Sequence, residues 1–321
     1  MPVDAAKALA ARPRIGEIAW GVRDVLLYHL ALGAGVPATD PGELRYTLEP
    51  GLCVLPGFAT VAGGGPPGVI GALSLPGVDV DLARVLHGGQ ALTLHRPLPV
   101  EGRATATRRI VAVYDKGTAA VLVMRTDVAD ADGPLWTDEA EVYVRGEGGW
   151  GGDRGPSARP GAPAGEPDLV VERPVREDQA LLYRLTGDRN PLHVDPEFAA
   201  RAGFERPVLH GLCTYGMTLK AVVDTVLGGD VTRVRACTAR FTGVVYPGET
   251  LRIRIRRATD AGGRCAGADP PGRRAGEAVG EVAGDVAGKE LRAETGRVRV
   301  AVGVVERGDA SVLVGTIVVP D

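Results

Sequence analysis

Apolar residues recur at helical spacing in one long run of this chain. Leu212, Tyr215, Leu219, Val222, Val223 and Val226 share one side of a helix that opens at Gly211 and stops before Gly228-Gly229. So few charges lie in it that a sheet is expected to wrap it. Elsewhere the period is two. Leu251 to Arg256 alternates strictly between apolar residues and arginine, and Val298 to Val302 and Val312 to Val319 complete a second set of strands. Ala119 to Met124 and Glu139 to Val144 do the same in the first half. The arginine row of Leu251–Arg256 could meet phosphates, but a solvated strand face is the favoured reading. A short helix is expected from Pro196 to Ala202, with Asp195 as N-cap, proline at its first position and Gly203 as its stop.

The pattern repeats. Leu26-Leu27-Tyr28 aligns with Leu181-Leu182-Tyr183 at an offset of 155, and Val54-Leu55-Pro56-Gly57 with Val208-Leu209-His210-Gly211 at 154. Two separate segments at nearly one offset point to a duplicated unit of about 150 residues, an ordinary domain size. The copies are not equal. After Gly57 the chain runs into Ala62 to Gly68, a glycine and proline stretch that cannot continue a helix. The first copy is therefore expected to replace the long helix by a short turn and a loop through about Asp81. That leaves room for a long or bulky apolar group, unless Val69 to Val80 folds back and fills it.

Composition narrows the class. At 321 residues and 45% hydrophobic content the chain can bury two cores or one shared core. A net charge of −3 argues against a nucleic-acid binder. No apolar run is long enough to span a bilayer, no signal peptide is evident, and Val318 to Asp321 is not a peroxisomal address, so a cytoplasmic location is expected. Cys53, Cys213, Cys237 and Cys265 show no paired spacing, so neither disulfides nor zinc are implied. Proline and glycine mark residues 151–168 as a linker, giving units 1–150 and 169–321, and Thr259 to Gly288 as an insertion between strands.

The chemistry concentrates in Thr186 to Asp195. Asp188, Asn190 and His193 lie within six residues on a turn set by Asn190-Pro191. A carboxylate, an amide and an imidazole on one tight connection can hold a water between them, which is what moving water on or off a substrate requires. His210-Gly211 opens the long helix soon after. The first helical turn has free N–H groups and the positive end of the dipole, suited to a carbonyl oxygen that gains charge. At the repeat offset Asp188 falls on Gly33 and His193 on Ala38, so one active site per chain is expected.

Tyr183 to Pro196, followed by Pro207 to Leu212, resembles the hydratase-2 motif of MaoC-like dehydratases, which are (R)-specific 2-enoyl-CoA hydratases. The likeness covers most of the chain, nearest to the double-hotdog type. It implies an α+β fold with two antiparallel sheets each wrapping a helix, the N-terminal helix shortened or lost. It implies an acyl-CoA substrate, catalysis by Asp188, His193 and Asn190 with a Gly211 N–H oxyanion hole, and contacts to CoA or substrate from His87, Gly88, Lys116 and Phe241. Gly89 departs from the family's usual glutamate after His-Gly. No metal or redox cofactor is called for, because the thioester itself acidifies C2–H. A homodimer stays open, as does which of Asp188 and His193 is acid and which base. Two alternatives stand beside this reading: a (3R)-hydroxyacyl dehydratase acting on acyl carrier protein, and a hotdog thioester-binding protein without turnover.

Overall fold

The alternating segments become strands, joined by others whose glycines and small residues blur the pattern. The computed structural model describes residues 3–64, 76–156, 165–258 and 295–320. Its strands are β1 (Arg14–Trp20), β2 (Val85–Leu94), β3 (Gly102–Asp115), β4 (Ala119–Asp130), β5 (Gly133–Arg145), β6 (Leu169–Pro174), β7 (Ala236–Phe241), β8 (Thr250–Ala258), β9 (Thr295–Val304) and β10 (Ala310–Pro320). They form one ten-stranded antiparallel sheet in the order β1-β3-β4-β5-β2-β7-β10-β9-β8-β6. Taken from either edge inward, the five strands of each half follow the same sequence of connections. The halves are continuous through β2 and β7, paired from Gly89↔Arg240 to Thr93↔Ala236.

The long helix spans Gly211–Val226, and every residue from Leu212 to Val223 is buried. Its charge is neutralised inside. Buried Lys220 is held by Glu43 at 2.7 Å and Asp224 at 2.8 Å, and the Tyr46 hydroxyl donates to the same Asp224. These bonds tie the helix to Pro41–Thr47 of the first copy. Among the described residues, the position equivalent to the start of the helix holds a 3-10 turn, Pro56–Thr60. Turn and helix approach at glycines: a β-carbon on Gly57 would lie 3.7 Å from Gly216 Cα. His29 pins the surrounding loop. Its Nδ1 lies 2.8 Å from the Tyr46 carbonyl and its Nε2 accepts from Leu55 N–H at 3.0 Å, while burial holds its pKa down to about 4.

Part of the first half is covered by elements the pattern did not announce. A short helix, Ala5–Ala10, capped by Asp4, packs with Val3 and Val78 against Val85, Ile110, Leu122, Met124 and Val142. Val80 and Leu82 join this cluster. Of the segment Val69 to Val80 weighed as a fold-back, Val78 and Val80 pack in this cluster, while Ile70, Leu73 and Leu75 lie outside the described residues. So does all of Thr259 to Gly288, Cys265 included; Cys53, Cys213 and Cys237 are free thiols. The arginine row forms ion pairs: Arg252 meets Glu172 and Asp309, and Arg254 meets Asp309. Among the described residues no helix is long and apolar enough to cross a membrane.

Candidate active site

Short polar side chains fix the loop that carries the motif. Asp188 accepts from Asn190 N–H at 3.1 Å, and the Asn190 amide oxygen accepts from Leu192 N–H at 3.1 Å. Asn190 thereby caps the 3-10 turn Pro191–His193. Asp195 caps Pro196–Arg201 by accepting from Glu197 and Phe198 N–H. Three Asx residues thus satisfy successive backbone donors, and a segment of irregular backbone becomes a rigid mount.

His193 is buried, with Nδ1 2.8 Å from the Val208 carbonyl. A carbonyl only accepts, so Nδ1 carries the hydrogen and Nε2 the lone pair. His210 mirrors it: its Nε2 lies 3.1 Å from the Asp188 carbonyl, so that nitrogen carries the hydrogen. The two rings stack at 3.6 Å with 27° between planes. Burial holds both imidazoles neutral. For His193 the Asp188 carboxylate and the Val208 carbonyl oppose this; for His210 the neighbouring His193 reinforces it. One Asp188 carboxylate oxygen and one ring nitrogen of each histidine lie within 4.8 Å of one another. That spacing suits a shared water or a small cation, since a ring nitrogen given to a backbone carbonyl leaves the other nitrogen free for either.

Opposite the pair begins the long helix. Among the described residues nothing accepts from Gly211 N–H. A β-carbon on Gly211 would sit 3.2 Å from the Phe241 ring, so the glycine lets that ring close over the helix end. Phe241 in turn meets the edge of His87, centroids 5.0 Å apart.

His87 and Gly88 lie where β2 bulges, the register shifting between His87 and Gly89. His87 Nε2 is buried without a partner, and burial draws the ring's pKa down to about 4 against the Gly89 backbone and the Gln90 side chain. Glu141, paired across from Gly89, fills the space left there: its carboxylate would lie 3.0 Å from a Gly89 β-carbon. Lys116, in the β3–β4 hairpin, lies over the Tyr114 ring at 5.2 Å and donates to the carbonyls of Arg154 and Pro156.

All eight residues singled out in the sequence line one cavity of about 860 Å³. Asp188, Asn190, His193 and Gly211 come from the second copy, as does Phe241; His87, Gly88 and Lys116 come from the first. Three features had no sequence signal: the His210 stack, the Glu141 carboxylate beside Gly89, and Arg240 on the same wall. Arg240 has no ion-pair partner among the described residues, and its Nε is buried and unpartnered.

Comparison with known proteins decides the family. Residues 19–146 match the MFE-2 hydratase 2 N-terminal domain and residues 159–266 the MaoC like domain. The enoyl-CoA hydratase ChsH3 of Mycobacterium tuberculosis is 49% identical over 256 residues, covering 79% of this chain and 90% of its own. The chain belongs to the MaoC-like hydratase 2 family. The peroxisomal enoyl-CoA hydratase 2 of Arabidopsis thaliana is 39% identical, covering 71% of this chain and 79% of its own. A solved MaoC-like dehydratase from Phytophthora capsici superposes with a TM-score of 0.77 at 26% identity, over 99% of this chain and 98% of the other. The ten-stranded sheet is accordingly the double hotdog of this family, and among the described residues the first hotdog has a 3-10 turn where the second opens its helix.

Proposed function

We propose that this chain adds water to trans-2-enoyl-CoA, giving (3R)-3-hydroxyacyl-CoA, and removes it in the reverse direction. The observation that carries this is the Asp188–His193 pair facing the same cavity as the open N–H of Gly211. A 2-enoyl thioester is electrophilic at C3. The water held by Asp188 and His193 forms the C3–O bond as its proton passes to the pair, and the π electrons move onto the thioester oxygen. Gly211 N–H, at the positive helix end, stabilises that oxygen. Return of the proton to C2 completes the addition, so atoms and charge balance with no other reactant.

His193 Nε2, bearing its lone pair, is the proton acceptor this geometry favours, with Asp188 holding the second hydrogen of the water. Asn190 contributes by capping the turn that aims His193. We place the reaction in the cytoplasm and on a homodimer, to be checked by cell fractionation and light scattering.

The substrate reading is tested with a panel of enoyl-CoA chain lengths beside the matching carrier-protein thioesters. Each buried methylene adds about 0.8 kcal/mol of binding until the space is full, so kcat/KM should rise from four carbons to medium length. Val78, Val80 and the Ala5–Ala10 helix already cover part of the first sheet. Activity that collapses beyond about six carbons would show that the cover extends over the rest. Faster turnover of carrier-protein substrates would transfer the assignment to the dehydratase alternative. Lys116→Ala should raise KM for CoA substrates with little change in kcat, the mark of binding lost equally in ground and transition states. An unchanged KM would leave Lys116 with only its bonds to the Arg154 and Pro156 carbonyls.

A further inference from the structure

The N-cap position of the long helix is occupied by a residue that does not cap it. His210 makes no side-chain bond to the helix; only its carbonyl takes part, accepting from Cys213 and Thr214 N–H. Serine, threonine, aspartate or asparagine would ordinarily stand here and bind the first-turn donors with the side chain. The imidazole is instead turned onto the motif loop. It stacks on His193 at 3.6 Å with 27° between planes, donates to the Asp188 carbonyl at 3.1 Å, and has the Tyr183 ring tilted against it, centroids 4.9 Å apart. Its second nitrogen, Nδ1, is buried with no partner. A buried, unsatisfied polar atom at a catalytic centre is a cost the fold would shed if only packing were needed.

We propose that His210 is a positioning residue for His193. Its N–H fixes the Asp188 carbonyl, and its flat face keeps the His193 ring dry and in plane. The two stacked imidazoles carry opposite tautomers, so that His193 presents the Nε2 lone pair to the water. This rests on the hydration reading given above. Neither function can be met by a smaller change. Phenylalanine offers the face without the donor; glutamine offers a donor without the face. When His193 takes the proton of water, its new charge forms against the π face of a neutral ring rather than against a second cation. The groups facing the stack are Asp188 from the motif loop, Tyr183 from the Gln179–Tyr183 helix and Arg184 just after it, whose charge disfavours protonation of His210. Arg184 Nε is itself buried and unpartnered, which favours keeping His210 uncharged.

The test uses the 321-residue chain labelled with ¹⁵N at histidine, its five histidines assigned with His193→Gln and His210→Gln. Ring-nitrogen shifts near neutral pH should show His193 as the Nδ1–H tautomer and His210 as the Nε2–H tautomer, both uncharged. The same tautomer on both rings, or a protonated His210, overturns the proposal. Kinetics give a second arm. His210→Phe should lower kcat about ten- to a hundredfold, the scale of a small misplacement, with KM little changed. His210→Gln should move the acid limb of kcat/KM upward, toward the ordinary histidine range, as water reaches His193. Wild-type kcat in His210→Phe together with an unmoved limb in His210→Gln contradicts a positioning role. Inactive Asp188→Asn and His193→Gln alongside such results would sink this proposal alone, whereas active ones would sink the hydration site itself.

Discussion

Asp188→Asn and His193→Gln are each expected to lower kcat by about a hundredfold or more, the scale of a positioned acid or base. The fold should survive both. In the first variant the new amide oxygen can still accept from Asn190 N–H. In the second, the loop stays fixed by the Asn190 and Asp195 caps. The double variant should be little worse than either single one, because both groups act on one water. Fully additive losses would place the two residues in separate steps. Steady-state rates on an enoyl-CoA, with thermal unfolding as the control for folding, distinguish these outcomes.

A second large effect is expected far from the motif, at Asp138. This carboxyl is buried on β5 and accepts from the Gln90 amide across the strand pair. Burial, aided by Glu139 and opposed by Arg108 and Gln90, pushes its pKa up to about 8, against 3.8 in an unfolded chain. The folded protein therefore holds one more proton than the unfolded chain between these values. The stability contributed by the neutral acid is complete below the unfolded value and is lost as pH rises through the folded one, by about 1.4 kcal/mol per pH unit. Asparagine has the same shape, keeps an oxygen for Gln90 and never ionises. Asp138→Asn should thus gain on the wild type by about 4 kcal/mol between about pH 5 and about pH 8. His29 and His87, whose folded pKa values are depressed to about 4, lose stability in the opposite direction, as pH falls below the ordinary histidine range. They cancel in the difference between variant and wild type. Urea unfolding of both proteins at the two pH values checks it; an advantage that does not grow with pH would show that Asp138 stays ionised in the folded state.

Much of this architecture is legible in the chain itself. The helix at Gly211 announces itself through spacing and its glycine stops, and the Leu-Leu-Tyr echo at an offset of 155 reveals two copies. The site loop is legible because proline and Asx residues carry their own local geometry. What stays hidden depends on contacts between distant segments. β2 escapes because His87-Gly88-Gly89 breaks the alternation at its bulge, and β3 because alanine and threonine dilute the apolar signal. The joining of the two sheets through β2 and β7 has no local signature at all. Glu141 stands 52 positions from Gly89 in sequence, yet its carboxylate fills the space beside that glycine. His210 reads as a neighbour of the oxyanion glycine, and only the folded loop brings its ring against His193.

The central claim is that a water held by Asp188 and His193 is delivered to one face of an enoyl thioester bound across both hotdogs. Chiral analysis of the product formed from trans-2-enoyl-CoA tests this most directly. The account predicts (3R)-3-hydroxyacyl-CoA alone, formed about a hundredfold or more slowly in Asp188→Asn; a (3S) product, or no consumption of any enoyl thioester, would contradict it.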